Sequence, residues 1–293
     1  MRSFIYKFLS KIDKFTGSSA DNRLRVLAYH TVPDQTAFEK QLEFISYNYN
    51  VIGISELKDH FINSTPLPTK PLLITFDDGD ISVYENGLPA LQAYNFPAVL
   101  FIITGLINTS KLFWCRHVEV VYKKNGASYA EARAKVGELK SISNYERTAY
   151  LDSLEEIQAR QLSVKELHSL EKGNVIAANH THTHPMVDKC TKKEIEQELK
   201  HSRIKFKEWE LEGYSVFAYP NGNWDVQTEN ILEDEGVEMA FLFDHKINKK
   251  NMNPMRISRI RVDTDLELNE FKVKVSGLHI NLMLLRQKIG QKQ

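Results

Sequence analysis

Three shortages narrow the reading before any motif is met. Only two cysteines, Cys115 and Cys190, occur in 293 residues, and they sit in unrelated contexts. That excludes a disulfide framework and a cysteine-built zinc site, and fits a reducing compartment. Charge of one sign is also lacking, because 38 Lys+Arg stand against 38 Asp+Glu. With no arginine-rich or aromatic-interleaved patch, nucleic acid is not an expected partner. Long apolar runs are missing as well: Lys7, Lys11, Asp13 and Lys14 break the stretch from Met1 to Thr16, leaving nothing of signal-peptide or transmembrane quality. The expectation is a cytoplasmic protein.

The same opening stretch carries a pattern. Phe4, Ile5, Phe8, Leu9, Ile12 and Phe15 recur at helical spacing, with Arg2, Lys7, Lys11 and Lys14 largely elsewhere. This basic amphipathic helix is read either as packed on its own domain or as a peripheral membrane contact made by residues 1–16 at the inner face of the membrane. A polar linker over 17–22 follows. From there, strand-like runs alternate with helical patterns, which predicts parallel β/α units over 23–265, then a C-terminal helix and polar tail over 266–293.

Strands are predicted at Arg25 to Tyr29, Leu72 to Phe76, Ala98 to Ile103, Val175 to Ala178, Ser215 to Tyr219, Met239 to Phe243 and Ile257 to Val262. Ser163 with Glu166, and Thr191 with Glu194, match capping boxes that start two helices. Residues 112–161 read as a charged, mostly helical insertion placed to wall or cover a site.

Two strand ends carry the chemistry. Leu72-Leu73-Ile74 leads into Thr75-Phe76-Asp77-Asp78-Gly79, and Val175-Ile176-Ala177-Ala178 leads into His180-Thr181-His182-Thr183-His184-Pro185. Successive strand residues point opposite ways, so Asp77 and Asp78 are suited to different jobs, one holding a metal and the other accepting a proton from water. His180 and His184 are spaced for a tight turn to bring both imidazoles onto one ion, with Thr181 or Thr183 bonding the turn backbone, while His182 is a bystander or faces substrate. Two imidazoles and one carboxylate leave a coordination position for water, as in catalytic zinc sites. Nitrogen and oxygen ligands do not distinguish Zn2+ from other divalent metals such as Co2+ or Ni2+.

In these residues, together with Phe217-Ala218-Tyr219-Pro220-Asn221-Gly222 and the early Tyr29-His30 pair, the chain resembles the polysaccharide deacetylase family, the NodB-homology or carbohydrate esterase family 4 group, over about residues 24–264. The resemblance implies an α/β fold, a distorted (β/α)7 barrel. It also implies Asp78, His180 and His184 as metal ligands, Asp77 as catalytic base, and the backbone amide of Tyr219 as oxyanion donor. Many members place an arginine in the third motif to orient the base; Ala218 stands in that region, so another group must hold Asp77. The family's late Leu-x-His histidine is not matched by Gly277-Leu278-His279. His30, His245 and His279 compete for the general-acid role, with His30 at the rim the first choice and His279 read as structural.

Phe113-Trp114 and Trp224 are candidates for sugar stacking, although core packing is the default for Phe113. Asp80 is expected to make the rim acidic, and Glu155 and Glu156 to lie on a solvated helix face. The activity implied is metal-dependent removal of N-acetyl groups from N-acetylhexosamine units of a glycan or a lipid-linked sugar. Two other readings stand beside it: a metal-containing glycan binder without turnover, and a hydrolase of O-acetyl or small-molecule amide substrates.

Overall fold

The computed structural model describes residues 6, 7 and 22–278. The N-terminal amphipathic pattern apart from Tyr6 and Lys7, His279 and the polar tail lie outside the described residues. Among the described residues, eight strands form one sheet: β1 (Arg25–Tyr29), β2 (Asn50–Val51), β3 (Pro71–Phe76), β4 (Ala98–Ile102), β5 (Val175–Asn179), β6 (Gly213–Ala218), β7 (Met239–Phe241) and β8 (Ile260–Arg261). Every pairing is parallel, in the order β7-β6-β5-β4-β3-β1-β8, with β2 beside β3. The sheet curls until its last segment meets both edges. Ile260 pairs with Leu27 of β1, and Ile257, three residues earlier, bridges to Phe241 of β7. A distorted seven-stranded barrel results, with its weakest seam where Ile257 to Val262 predicted a full strand and only Ile260–Arg261 forms one.

Period-2 alternation sorts the strand residues into two cores. Val26, Leu73, Val99, Phe101, Ala178, Val216, Ala218, Met239, Phe241 and Ile257 pack with one another inside the ring. Leu27, Tyr29, Ile74, Phe76, Leu100, Ile102 and Ala177 face outward, onto helices. Those helices include α1 (Gln35–Asn48), α2 (Ile54–Asn63) and α3 (Leu88–Ala93), the last entered through a π-helical turn at Val83–Gly87. The insertion is three helices, α4 (Trp114–Lys124), α5 (Tyr129–Leu139) and α6 (Asn144–Asp152). After it come α7 (Val164–Lys172), α8 (Lys192–Glu208), α9 (Val226–Asp234) and α10 (Leu268–Ser276). Ser163 and Thr191 cap α7 and α8 in the reciprocal boxes read from the sequence, each cap contributing about 1 kcal/mol. Glu155 and Glu156 are in the loop after α6, not on a helix face. No helix among the described residues is long and apolar enough to cross a membrane.

One irregularity positions the site. Between β5 and β6 the register jumps, with Ala178 opposite Gly213 and Asn179 opposite Phe217. Gly213 permits it, since a Cβ there would lie 1.9 Å from the Ala177 carbonyl oxygen. The slip brings the end of β6 level with the histidines that follow β5.

Inside the barrel Phe101 is fully buried, 5.4 Å from the ring of Phe241. Replacing it with alanine is expected to cost about 3–5 kcal/mol, read as a lower urea midpoint at unchanged m-value; a loss under about 1 kcal/mol would contradict this packing.

Candidate active site

β3 delivers both acids. Its inward positions are Leu73, Thr75 and then Asp77, whose amide donates to the Tyr29 carbonyl (2.9 Å) and so extends the ladder one residue past the strand. Alternation alone would turn Asp78 outward. Left-handed backbone at Asp78 (φ 69°) and Gly79 (φ 75°) swings it back over the barrel mouth instead, a conformation costly for a non-glycine residue and typical of functional turns.

The histidine loop is tied down from several sides. Thr181 Oγ1 accepts from the His184 amide (2.9 Å), and Asn179 Oδ1 accepts from the Thr181 amide (2.9 Å). Glu198 of α8 takes the amides of His182 and Thr183 at 2.8 and 2.7 Å. Thr181 and His184 are themselves left-handed, φ 68° and 58°. His182 points away from the other two, its Nδ1 3.0 Å from Thr104 Oγ1 and its ring 5.1 Å from His201, which makes it the bystander.

His180 Nε2 and His184 Nε2 each lie 3.5 Å from Asp78 Oδ1. Ligands bound at about 2.0–2.1 Å on the corners of a tetrahedron sit about 3.3–3.5 Å apart, so these separations suit a zinc-like ion. Electrostatics agree. Burial first, and His180 second, push His184 down to about 3, keeping a lone pair free to donate. Burial works against ionised Asp78, but the His180 hydrogen bond and the neighbouring histidines outweigh it and hold the carboxyl well below the usual range. His180 Nδ1 is 2.8 Å from the Ala218 carbonyl, which only accepts; Nδ1 therefore carries the proton and Nε2 faces the site. The donor set fits a divalent metal.

Asp77 has a partner that sequence reasoning missed. Arg259, fully buried, donates through Nη1 to Oδ1 (2.6 Å) and through Nη2 to Oδ2 (2.9 Å). Its Nε donates to the Leu242 carbonyl (2.8 Å), and its guanidinium lies 5.3 Å from the centre of the Phe101 ring. Desolvation alone would raise Asp77; the charge of Arg259, followed by His180 and His30, reverses that and keeps the carboxyl lowered. A signal for Arg259 was available, because in the run from Ile257 to Val262 it shares the inward parity of Ile257, and an inward arginine in a barrel strand needs a buried anion.

A cavity of about 350 Å³ opens over these groups, lined also by His30, Phe113, Asn221, Arg261 and Asp263. His30 therefore reaches the site from the end of β1. Tyr219 does not. Its amide is spent on the Phe241 carbonyl (3.0 Å), its hydroxyl donates to the Met255 carbonyl (3.2 Å), and its ring is buried with Phe217 on the outer face. The oxyanion role expected of the Tyr219 amide is thus corrected: alternation along β6 puts Ala218 inward and Tyr219 outward. The loop residue that reaches the cavity is Asn221, left-handed at φ 59°. Gly222 lets this loop press on the next strand, since a Cβ there would come within 2.6 Å of the Phe243 amide nitrogen.

His245 sits behind Phe243, rings 5.0 Å apart, and does not line the cavity. Trp224 packs under the Arg256 guanidinium, 4.0 Å away, and does not line it either. Phe113 does, with its ring edge-on to His184 at 4.9 Å. Asp80 accepts from the Ser82 amide (2.9 Å) at the border of an adjoining hollow.

The insertion walls the site and grips it. Trp114 Nε1 donates to the His184 carbonyl at 3.0 Å, and Arg147 Nη1 donates to the same oxygen at 2.9 Å. Arg147 is almost wholly buried and stacks over Trp114 at 5.1 Å. His184 Nδ1 has no hydrogen-bond partner among the described residues. Where the Ala218 carbonyl orients His180, contacts from Phe113, Trp114 and Arg147 hold His184. Lys140 donates to Asn221 Oδ1 (2.8 Å), gripping the opposite loop.

Comparison with known proteins bears on the family and the fold. The profile of a family described as polysaccharide deacetylase matches residues 64–240. A poly-beta-1,6-N-acetyl-D-glucosamine N-deacetylase of Staphylococcus aureus is 24% identical over 232 residues, covering 79% of this chain and 68% of that protein. Among solved structures, the Streptococcus pyogenes deacetylase PplD in complex with acetate has a TM-score of 0.61 at 18% identity, covering 87% of this chain and 98% of that one. IcaB from Ammonifex degensii has a TM-score of 0.60 at 21% identity, over 83% and 92%. At these identities the structures speak for the fold.

Two outcomes are expected from the contacts above. Arg259→Leu strands a buried carboxylate and should cost about 3–5 kcal/mol. Asp77, lowered in the native protein, adds stability above its unfolded value and loses it as pH falls; without Arg259 burial raises it, so the variant should gain relative stability on acidification. Denaturation at pH 5 and pH 8 checks this, and equal stability losses at both would contradict it. Arg147→Met should weaken Co2+ or Zn2+ binding about 10–100-fold; unchanged affinity by calorimetric titration would show that the grip on His184 is dispensable.

Proposed function

Since the chain belongs to the polysaccharide deacetylase family, hydrolases of amide C–N bonds, we propose that it removes N-acetyl groups from N-acetylhexosamine units of a polysaccharide, with a β-1,6-linked N-acetylglucosamine polymer as the leading substrate. The observation that carries the reading is one cavity floor holding the Asp78, His180 and His184 cluster beside an Asp77 locked by Arg259. The likeness to relatives named for that polymer supports the substrate.

A divalent ion in the Asp78, His180 and His184 cluster would supply Lewis-acid polarisation of the acetamide carbonyl and acidify water. Asp77, ionised and fixed through both oxygens by Arg259, accepts the proton of the attacking water. Its oxygens are already in place, so little reorganisation accompanies the transfer. Asn221, at the loop tip where Tyr219 fails to reach, takes the place of the oxyanion donor through its backbone amide, its side chain being held by Asn223 and Lys140. His30, across the cavity and close enough to lower both aspartates, protonates the departing amine as the C–N bond breaks, leaving acetate and a hexosamine unit with a free amine in the polymer. A binder without turnover rests on Ala218 in place of an orienting arginine and on the lack of an assigned acid; Arg259 answers the first, and His30 in the cavity is our candidate for the second.

Purified metal-loaded protein is expected to release acetate from N-acetylglucosamine oligomers. A chelator should stop release and added metal restore it, while Asp77→Asn should lower kcat by about 10²–10⁴-fold. Absence of acetate from every N-acetylated substrate, or a preference for O-acetyl esters, would overturn the assignment.

A further inference from the structure

The catalytic cavity is not closed on the side of the insertion. A second hollow of about 320 Å³ shares His30, Asp78, Phe113 and Arg133 with it. A third, about 740 Å³, shares Arg116, Glu119 and Tyr129 with the second. The three form one groove beside α4, which leads from Phe113, against His184, to Lys123 and Lys124. At 1.5 Å per residue the 11-residue helix is about 16 Å long, enough for about three linked pyranoses.

The lining has a definite chemistry. Val120, Ala127 and Ala132 give the far hollow an apolar floor. Tyr129, 72% exposed at the start of α5, stands where the second and third hollows meet. An aromatic ring in that setting suits the C–H face of a sugar and gains little from the protein core. The outer rim is cationic: Arg116 and Arg133 share the single carboxylate of Glu119, at 2.8 and 3.0 Å, so one positive charge is in excess, and Lys123 adds a second, while Lys124 is paired with Glu155 and Asp80 lies at the inner end beside Asp78.

We propose that this groove binds the still-acetylated stretch of the polysaccharide on one side of the unit being deacetylated, and that its cationic rim disfavours units already converted to glucosamine. A deacetylated unit carries an ammonium group, which the rim repels, whereas an N-acetyl unit is neutral and keeps the stacking contact. The site then works along acetylated segments and spares neighbours of its own products. This rests on the deacetylase reading of the cavity floor.

The test compares a β-1,6-linked N-acetylglucosamine dimer with the hexamer, by acetate release for turnover and by calorimetry with metal-loaded Asp77→Asn protein for binding. In Tyr129→Ala the hexamer-to-dimer ratio of kcat/KM should fall about fivefold to tenfold. Tyr145→Ala, an equally exposed tyrosine on α6 outside the groove, should keep the wild-type ratio. Partly deacetylated hexamers should bind about threefold to tenfold more weakly than fully acetylated ones at low salt, and the gap should narrow at high salt and in Lys123→Gln/Lys124→Gln. A ratio unmoved by Tyr129→Ala, or equal binding of both hexamers, overturns the proposal. If wild type releases no acetate but binds the hexamer more tightly than the dimer through Tyr129, the reaction assignment falls and the groove stands; if binding also ignores length, the groove falls with it.

Discussion

Arg259 and Asp77 form an ion pair inside the barrel with almost no access to water, and much of the molecule is arranged around it. Either charge alone would be strongly disfavoured in that interior, so each demands the other in place. The pair anchors the barrel's weakest seam from across β1. Asp77 ends β3, whereas Arg259 lies in the short segment that meets β7 through Ile257 and β1 through Ile260. Only two residues of that segment form a regular strand. Backbone bonds of Ile257 to Ala240 and Leu242 and of Val262 to Ala28, and Asn248 on the Ser258 backbone, help to hold it, and the guanidinium adds bonds to Asp77, Thr75 and the Leu242 carbonyl. The side chain that ties the closing segment to β3 thus also aims the proposed base, and stability and chemistry are coupled in it.

The metal-ligand loop shows a second division of labour. His180 is oriented from within the barrel, by a carbonyl at the end of β6 that a register slip brings into reach. His184 is oriented from outside, by helices inserted between β4 and β5. Because Trp114 and Arg147 converge on one carbonyl oxygen and Phe113 packs on the ring, the insertion is part of the site's scaffold as well as its wall. The same helices carry the groove that leads away from the cavity, so binding of a long chain and the geometry of the ligand loop share one element.

Much of this was legible in the chain. The Asp-Asp and His-x-x-x-His motifs close two apolar runs, and the strand candidates fall close to the observed β1 and β3 to β7. Ser163 and Thr191 cap helices as read. The failures have one physical source apiece. Tyr219 was placed in the site by its motif, although strand alternation turns it outward into the helix layer. Trp224 was weighed as a sugar platform, and a guanidinium 4.0 Å away occupies its face instead. Asp78 does meet His180 and His184 as expected, but through a left-handed turn that overrides alternation.

Local order in the sequence therefore determined which residue types arrive at which strand ends, because hydrophobic period and turn chemistry act over a few residues. An aspartate pair and two suitably spaced histidines, His180 and His184, follow from that order, as does the parallel β/α architecture, whereas Asp78 as their partner was implied by the family resemblance. Only the tertiary structure decided what orients them. Arg259 lies 182 residues from Asp77, and Arg147 lies 37 from His184. Such pairings are set by closure of the barrel and docking of the insertion, through contacts whose partners leave no period in the chain.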